Sequence, residues 1–249
     1  MIKLGTNSIG KLYLGTNQIG TAYLGSNLVY QSGSSPTPPT PPTPTGLVFY
    51  DRLVFDGTAY IDTDITPPAN ASFRTYLGNE TLKAGQRLFL CNATTGLIGA
   101  LLSPTSTTST TRQFSVYYGA SSAVTTSVTL PFSTTDYYLV LTPKRFIAAP
   151  NSSNTGTTFS KGNGTPSSAL VIGANVNHNG QPFTGRMSIF RIYDSDAQNA
   201  TSASELLNYT PAYTLRPCTY NGEAGLWCVE TETFYGNTAE SGELTVLNI

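Results

Sequence analysis

The chain has 249 residues and a mass of 26.5 kDa, enough for one sizeable domain with its own core plus accessory segments. Only 11% of its residues are charged and the formal net charge is -1, so it lacks the cationic excess with which nucleic-acid binders neutralise phosphate. A single histidine, His178, gives no histidine cluster for a metal and no obvious catalytic base, and no stretch approaches the roughly 18 consecutive apolar residues of a membrane span.

The chain opens on a repeat. Leu4-Gly5-Thr6-Asn7, Leu14-Gly15-Thr16-Asn17 and Leu24-Gly25-Ser26-Asn27 recur every ten residues, each followed two positions after its Asn by Ile9, Ile19 or Val29. Gly and Asn tolerate positive φ, and the intervening segments have strand chemistry, so each repeat is expected to form one short strand plus one turn. Three such units carry too few apolar side chains to close a core, which points to stacking on further copies or on a partner. Residues 1–31 therefore read as a β-repeat anchor that makes a homo-oligomer, most simply a trimer.

From Ser32 the composition changes to SGSSPTPPTPPTPTG, where Pro36, Pro38, Pro39, Pro41, Pro42 and Pro44 forbid helix and sheet alike. At about 3.1 Å per residue, Pro36 to Pro44 spans on the order of 28 Å as a polyproline II stalk. Residues 32–46 are thus a linker, and 47–249 a single unit of short apolar alternations between polar turns. Candidate strands are Leu53–Phe55, Ala59–Ile61, Phe73–Leu77, Arg87–Cys91, Gly96–Leu101, Gln113–Tyr118, Ala123–Leu130, Tyr137–Thr142, Ala169–Ile172 and Gly185–Tyr193. One short helix is expected at Ala203–Asn208, with Ser202 and Glu205 as a capping box. The fold class is all-β, and this many strands in one domain suggests a two-sheet jelly roll.

Two passages carry a family resemblance. RLVFDGTAYIDTDITP resembles the opening strands of laminin-G-like, concanavalin A-like lectin modules, in which Y-I-D-T-G-I recurs; Asp64 stands here in the usual Gly position. PCTYNGEAGLWCVETETFYGN is similar to their closing hairpins: Gly225, Leu226, Phe234, Tyr235 and Asn237 fall in register, Trp227 takes the Tyr position, and Cys228 and Thr231 replace Asp and Asn. The Leu-Gly-Thr-Asn repeat resembles the leaders of fibre and adhesin proteins in tailed phages of gut bacteria, including the crAss-like group. The resemblance implies a concanavalin A-like sandwich in a non-enzymatic virion protein, a head or tail fibre attached to capsid or tail through its N-terminus. Its lectin-like module would bind host-surface polysaccharide or another glycan. An inert decoration protein of the virion and a bacterial surface adhesin are the other readings.

The composition agrees with such a location. Serine and threonine make up roughly a quarter of the chain, giving a surface that is polar without being ionic, as on particle-surface β proteins. The opening MIKLGTNSIG lacks the apolar core of a secretory signal, as expected of a protein synthesised in a host cytoplasm and released by lysis. Three cysteines make no disulfide framework, although Cys218 and Cys228 flank an expected hairpin turn at Asn221-Gly222 and either pair across it or remain buried thiols.

Among chemical sites, glycoside hydrolysis would need two carboxylates at a fixed separation, and Glu230 with Glu232 is the nearest pair. These fall at a hairpin tip without the E-x-D-x-x-E pattern of the related glucanases, so no catalytic residue is assigned and no cofactor is required. Calcium is compatible with Asp62 and Asp64 or with Asp194 and Asp196, each pair offering two oxygen ligands; the other reading has these aspartates capping turns. For sugar binding, the loop GANVNHNGQPF supplies Asn175, Asn177, His178 and Asn179, with Trp227 as an aromatic platform. Tyr117, Tyr118, Tyr137, Tyr138 and Tyr235 are further aromatics, but adjacent tyrosines on a strand face opposite sides, so half of them belong to the core.

Overall fold

The computed structural model describes residues 44–78, 85–108, 111–128, 136–178 and 180–249, together with short strand segments between Lys3 and Gln31. The chain divides into two units, Met1–Thr45 and Gly46–Ile249. In the first, β1 (Lys3–Leu4) pairs with β2 (Asn7–Ser8), β3 (Tyr13–Leu14) with β4 (Asn17–Gln18), and β5 (Thr21–Leu24) with β6 (Asn27–Gln31), all antiparallel. Leu4 lies opposite Asn7, Leu14 opposite Asn17 and Leu24 opposite Asn27. Each repeat is thus a two-stranded pair rather than one strand and a turn. Two residues separate the paired positions, a spacing that favours glycine first, and Gly5, Gly15 and Gly25 stand there. Those glycines, and residues 32–43 of the expected stalk, lie outside the described residues.

The second unit is all-β. Its strands are β7 (Leu47–Phe49), β8 (Arg52–Asp56), β9 (Ile61–Asp62), β10 (Ser72–Gly78), β11 (Arg87–Ala93), β12 (Gly96–Thr108), β13 (Thr111–Ala120), β14 (Val124–Val128) and β15 (Asp136–Leu141). They continue with β16 (Arg145–Ala149), β17 (Thr157–Thr158), β18 (Val171–Ile172), β19 (Thr184–Met187), β20 (Phe190–Tyr193), β21 (Pro211–Tyr220), β22 (Glu223–Cys228), β23 (Thr233–Tyr235) and β24 (Leu244–Leu247). One sheet runs β14-β13-β12-β11-β18-β9. The larger runs β17-β16-β15-β10-β20-β21-β22-β23, with β7 beside β21 and with β19, β8 and β24 joined to it through β10.

Strand alternation explains why the sheets face each other. In SFRTYLG of β10, Phe73, Thr75 and Leu77 are buried while Arg74 and Tyr76 turn to the other face; in DYYLVL of β15, Tyr137, Leu139 and Leu141 point inward. The inward rings meet across the gap: Phe89 of β11 lies 5.1 Å from Phe73 and 5.2 Å from Phe190 of β20, and Phe114 of β13 lies 5.1 Å from Phe146 of β16. The Tyr118 hydroxyl, buried in the same core, donates to the Ala71 carbonyl at 2.6 Å, so its polar end is satisfied. Part of the larger sheet's outer face is covered by residues 194–209, whose Ala197, Ala200, Ala203 and Leu206 pack on Val140, Ile147 and Tyr193.

Several sequence expectations are corrected here. Ala59 is not in a strand, because the Asp56 carboxylate takes the backbone N–H groups of Thr58 and Ala59 at 2.8 and 2.9 Å and closes a turn before β9 begins at Ile61. The expected strand Gly185–Tyr193 divides into β19 and β20 around Ser188 and Ile189, where Ser188 N–H bonds the Tyr76 carbonyl. The helix at Ala203–Asn208 is a 3-10 turn, Glu205–Asn208. Its Glu205 N–H does bond Ser202 Oγ at 3.1 Å, but the Glu205 carboxylate reaches back to Thr201 N–H and Oγ1, one residue earlier than a capping box requires.

The hairpin turn stands where the sequence puts it. Tyr220 pairs with Glu223, and Asn221 and Gly222 both have positive φ, at 51° and 89°. The cysteines beside it do not meet, since Leu215 opposes Cys228 and Cys218 opposes Gly225, which turns Cys228 into the core and Cys218 to the outer face. Cys91, Cys218 and Cys228 are buried free thiols, and burial pushes those of Cys91 and Cys218 up to about 12.

Candidate functional site

The smaller sheet ends on β9, and an edge strand exposes backbone donors and acceptors that need cover. Residues 237 and 238 supply it. Asn237 Oδ1 accepts Tyr60 N–H at 3.3 Å, Thr238 Oγ1 accepts Asp62 N–H at 3.0 Å, and Thr238 N–H donates to the Tyr60 carbonyl at 2.9 Å. This places Tyr60 and Asp62 at the rim of the sandwich.

The loop after β18 reaches the same rim. Asn175 Oδ1 accepts Val176 N–H and its carbonyl accepts His178 N–H, both at 2.8 Å, a tight turn that leaves His178 at φ 56°. The turn lays the imidazole on the Tyr60 ring, centroids 4.6 Å apart and planes 19° from parallel, with Nε2 donating to Asp62 Oδ1 at 3.0 Å. Burial and the charges of Asp62 and Glu240 raise the Tyr60 hydroxyl above its ordinary value, so the phenol keeps its proton and can donate. Beside this group, Asp64 accepts the Tyr235 hydroxyl. Burial, reinforced by that carboxylate, holds the Tyr235 phenol neutral.

Residues from three separate stretches of chain therefore converge on one rim: 60–64, 175–178 and 235–238. Asp62 and His178, assigned from sequence to different roles, are bonded partners. Asn177 is exposed beside them, and Asn179 lies outside the described residues. Sequence analysis gave Tyr60 and Thr238 no role and Asn237 only a place in the closing motif; the available signal was the Y-I-D motif that contains Tyr60 and the F-Y-x-N motif that Thr238 directly follows.

Other expected residues lie elsewhere. Trp227 is 7% exposed, packed with Leu47 and Cys218 and 5.8 Å from the Tyr220 ring, so it offers no platform to the loop. Its alternation with Leu226 and Cys228 turns it to the outer face, where the side chains of Leu47, Cys218, Tyr220 and Phe234 enclose it. Asp194 Oδ1 caps Ser195 N–H at 2.6 Å at the start of a 3-10 turn, and Asp196 sits in the first turn. Among the described residues, no group of three or more His, Cys, Asp or Glu side chains gathers in the way a metal ion needs. Glu230 Oε2 accepts Thr214 N–H at 2.5 Å, and Glu232 occupies the hairpin tip at φ 53°. Tyr118 and Tyr137 are in the core while Tyr117 and Tyr138 are half-buried, the division that strand alternation predicts.

The rim presents an aromatic ring beside a carboxylate, an imidazole and amide-bearing side chains. A pyranose is bound by such groups, through its C–H face on the ring and its vicinal hydroxyls on the polar atoms. Comparison with known proteins returns no matching family model and no matching curated protein.

Proposed function

We propose that this chain is a bacteriophage virion protein, a head or tail fibre, whose sandwich is a non-catalytic lectin-like module that binds host-surface glycan. The observation that carries the glycan-binding part is the rim at Tyr60, Asp62, Asn175, Asn177 and His178, where an aromatic ring and hydrogen-bonding groups are drawn together from separate stretches of chain. The fibre part is supported by the N-terminal repeats, by the proline-rich segment and by the family resemblance of the sandwich. The proposed assembly is a trimer held at the N-terminus, in which weak single sites gain strength by avidity.

Two measurements test this. Light scattering of the full chain is expected to give the mass of a trimer, and a monomer at micromolar concentration contradicts the assembly. A glycan array and host-envelope binding assay is expected to show binding that drops about tenfold or more in Tyr60→Ala and His178→Ala, the loss of one stacking and one charge-assisted contact. Binding unchanged in both variants removes the rim from this reading, and no binding to any envelope fraction favours an inert decoration protein.

A further inference from the structure

The outer face of the larger sheet carries a groove of about 540 Å³, away from the rim residues, lined by Arg52, Arg74, Arg191 and Arg216 together with Tyr76 and Tyr138. The chain has only 13 lysines and arginines in 249 residues, and four of them line this one groove. They come from β8, β10, β20 and β21, and the pairing of β10 with β20 sets Arg74 directly opposite Arg191. Like charges at directly opposed positions destabilise a sheet, so this arrangement works against folding unless something compensates.

The protein supplies little compensation. Asp136 approaches Arg52 at 3.8 Å but is shared with Arg186 at 3.7 Å, and Asp51, one carboxylate lining the groove against four arginines, accepts the backbone N–H of Ile249 at 3.0 Å. Among the described residues, no carboxylate pairs with Arg74, Arg191 or Arg216. The guanidinium groups are instead oriented by neutral contacts. Arg74 Nε donates to the Ala203 carbonyl at 2.9 Å, and the cations of Arg52, Arg74 and Arg216 lie over the rings of Tyr76, Tyr138 and Phe49 at 4.7, 5.4 and 4.0 Å. Arg52 is itself 9% exposed, and its Nε has no hydrogen-bond partner. Burial first, and the Arg191 charge with it, lower the Arg74 guanidinium from its ordinary value.

We infer that this groove is a binding site for a carboxylate-bearing saccharide, its acid group taken by the guanidinium groups of Arg74, Arg191 and Arg216. Arginine suits this task because its planar fork matches a carboxylate in two parallel hydrogen bonds, and here those of Arg74 and Arg216 are held in place before the ligand arrives. The groove volume is that of a small-molecule site and accommodates a few sugar units rather than an extended polymer. Tyr76, Tyr138 and Ser188 add the hydroxyl and ring contacts that a sugar uses and a bare ion does not. A nucleic acid would need a basic stripe along the surface, which a chain of net charge -1 with four of its 13 cations in this compact groove does not provide.

The test uses the full chain and calorimetric titration with short oligosaccharides bearing galacturonate, glucuronate or N-acetylneuraminate, each beside its carboxyl-reduced counterpart. At least one acidic sugar is expected to bind about tenfold or more tighter than its reduced counterpart, the weight of one charge-assisted hydrogen bond. Arg191→Gln with Arg216→Gln is expected to erase that difference, while His178→Ala at the rim leaves it intact. Because Arg191 faces a like charge, Arg191→Gln alone is expected to leave the melting temperature of the free protein unchanged or raised. Equal binding of every acidic and reduced pair overturns the proposal, as does equal competition by inorganic sulfate, and a melting temperature lowered by Arg191→Gln reassigns that arginine to structure.

Discussion

Phe89→Ala is expected to destabilise the sandwich by about 3–5 kcal/mol, the range for truncating a fully buried aromatic side chain. Phe89 is 0% exposed and stands between Phe73 and Phe190, so it joins the smaller sheet to two adjacent strands of the larger one. Alanine would leave a cavity walled by strands whose backbones are tied on both sides, with Leu90 paired to Gly99 and to Val171, and such walls collapse poorly. A domain's total stability is only about 5–15 kcal/mol, so the loss is a large share of the whole. Urea denaturation checks it. The midpoint should fall with the slope unchanged, and Phe89→Leu should recover most of the loss. A cost below about 1.5 kcal/mol would mean that the two sheets do not close on this ring.

Most of the strands were legible because their two faces differ chemically. SFRTYLG and DYYLVL alternate between core and outer face, and that period is a local property of the sequence. Of β21 only the end was legible, from the hairpin turn at Asn221-Gly222; its start was not, because PAYTLRPCTY carries Pro211 and Pro217 and proline argues against a strand. It forms because β22 and β7 pair with it along the same stretch, bonds that depend on distant residues. β7 illustrates the same limit: three residues directly after the proline-rich segment become a strand only because Cys218, Thr219 and Tyr220 are there to pair with.

The two proposed surfaces divide in the same way. The polar loop at Asn175–His178 was readable from composition, since a run of asparagines between apolar segments has few uses other than a turn or a recognition loop. Its partners were not. Asp62 looked like half of a calcium pair because Asp64 follows two residues later, yet the structure gives Asp62 to His178 and Asp64 to Tyr235. The arginine groove left no local trace, because Arg52, Arg74, Arg191 and Arg216 are isolated charges far apart in the chain. They share a face only once β10 pairs with β20, β20 with β21, and β8 joins β10 through β19. Trp227 erred in the opposite direction: aromatic and on the outer face, it resembled a platform, but Leu47, Cys218 and the Tyr220 and Phe234 rings enclose it.

Gly119→Val is expected to cost about 3 kcal/mol or more, the sum of a left-handed backbone penalty of about 1–2 kcal/mol and an overpacking penalty of about 1–3 kcal/mol. Gly119 lies at the end of β13 with φ 64°, and a Cβ placed there would stand 2.4 Å from the Gly164 carbonyl oxygen. That oxygen belongs to backbone that cannot retreat: Gly164 N–H donates to the Gly119 carbonyl at 3.0 Å, Gly162 N–H donates to the Tyr118 carbonyl at 2.8 Å, and Thr95 Oγ1 reaches the same Gly119 carbonyl at 3.0 Å. The segment 162–164 is thus laid directly on the end of β13, and residues without side chains are what allow the two backbones to touch. Gly222→Ala separates the two causes. Gly222 has φ 89°, but a methyl group added there would meet nothing within 4 Å, so only the backbone penalty of about 1 kcal/mol applies. Urea midpoints of the two variants should differ accordingly, with Gly119→Val far below Gly222→Ala; equal midpoints would mean that the approach of 162–164 to β13 contributes nothing to stability.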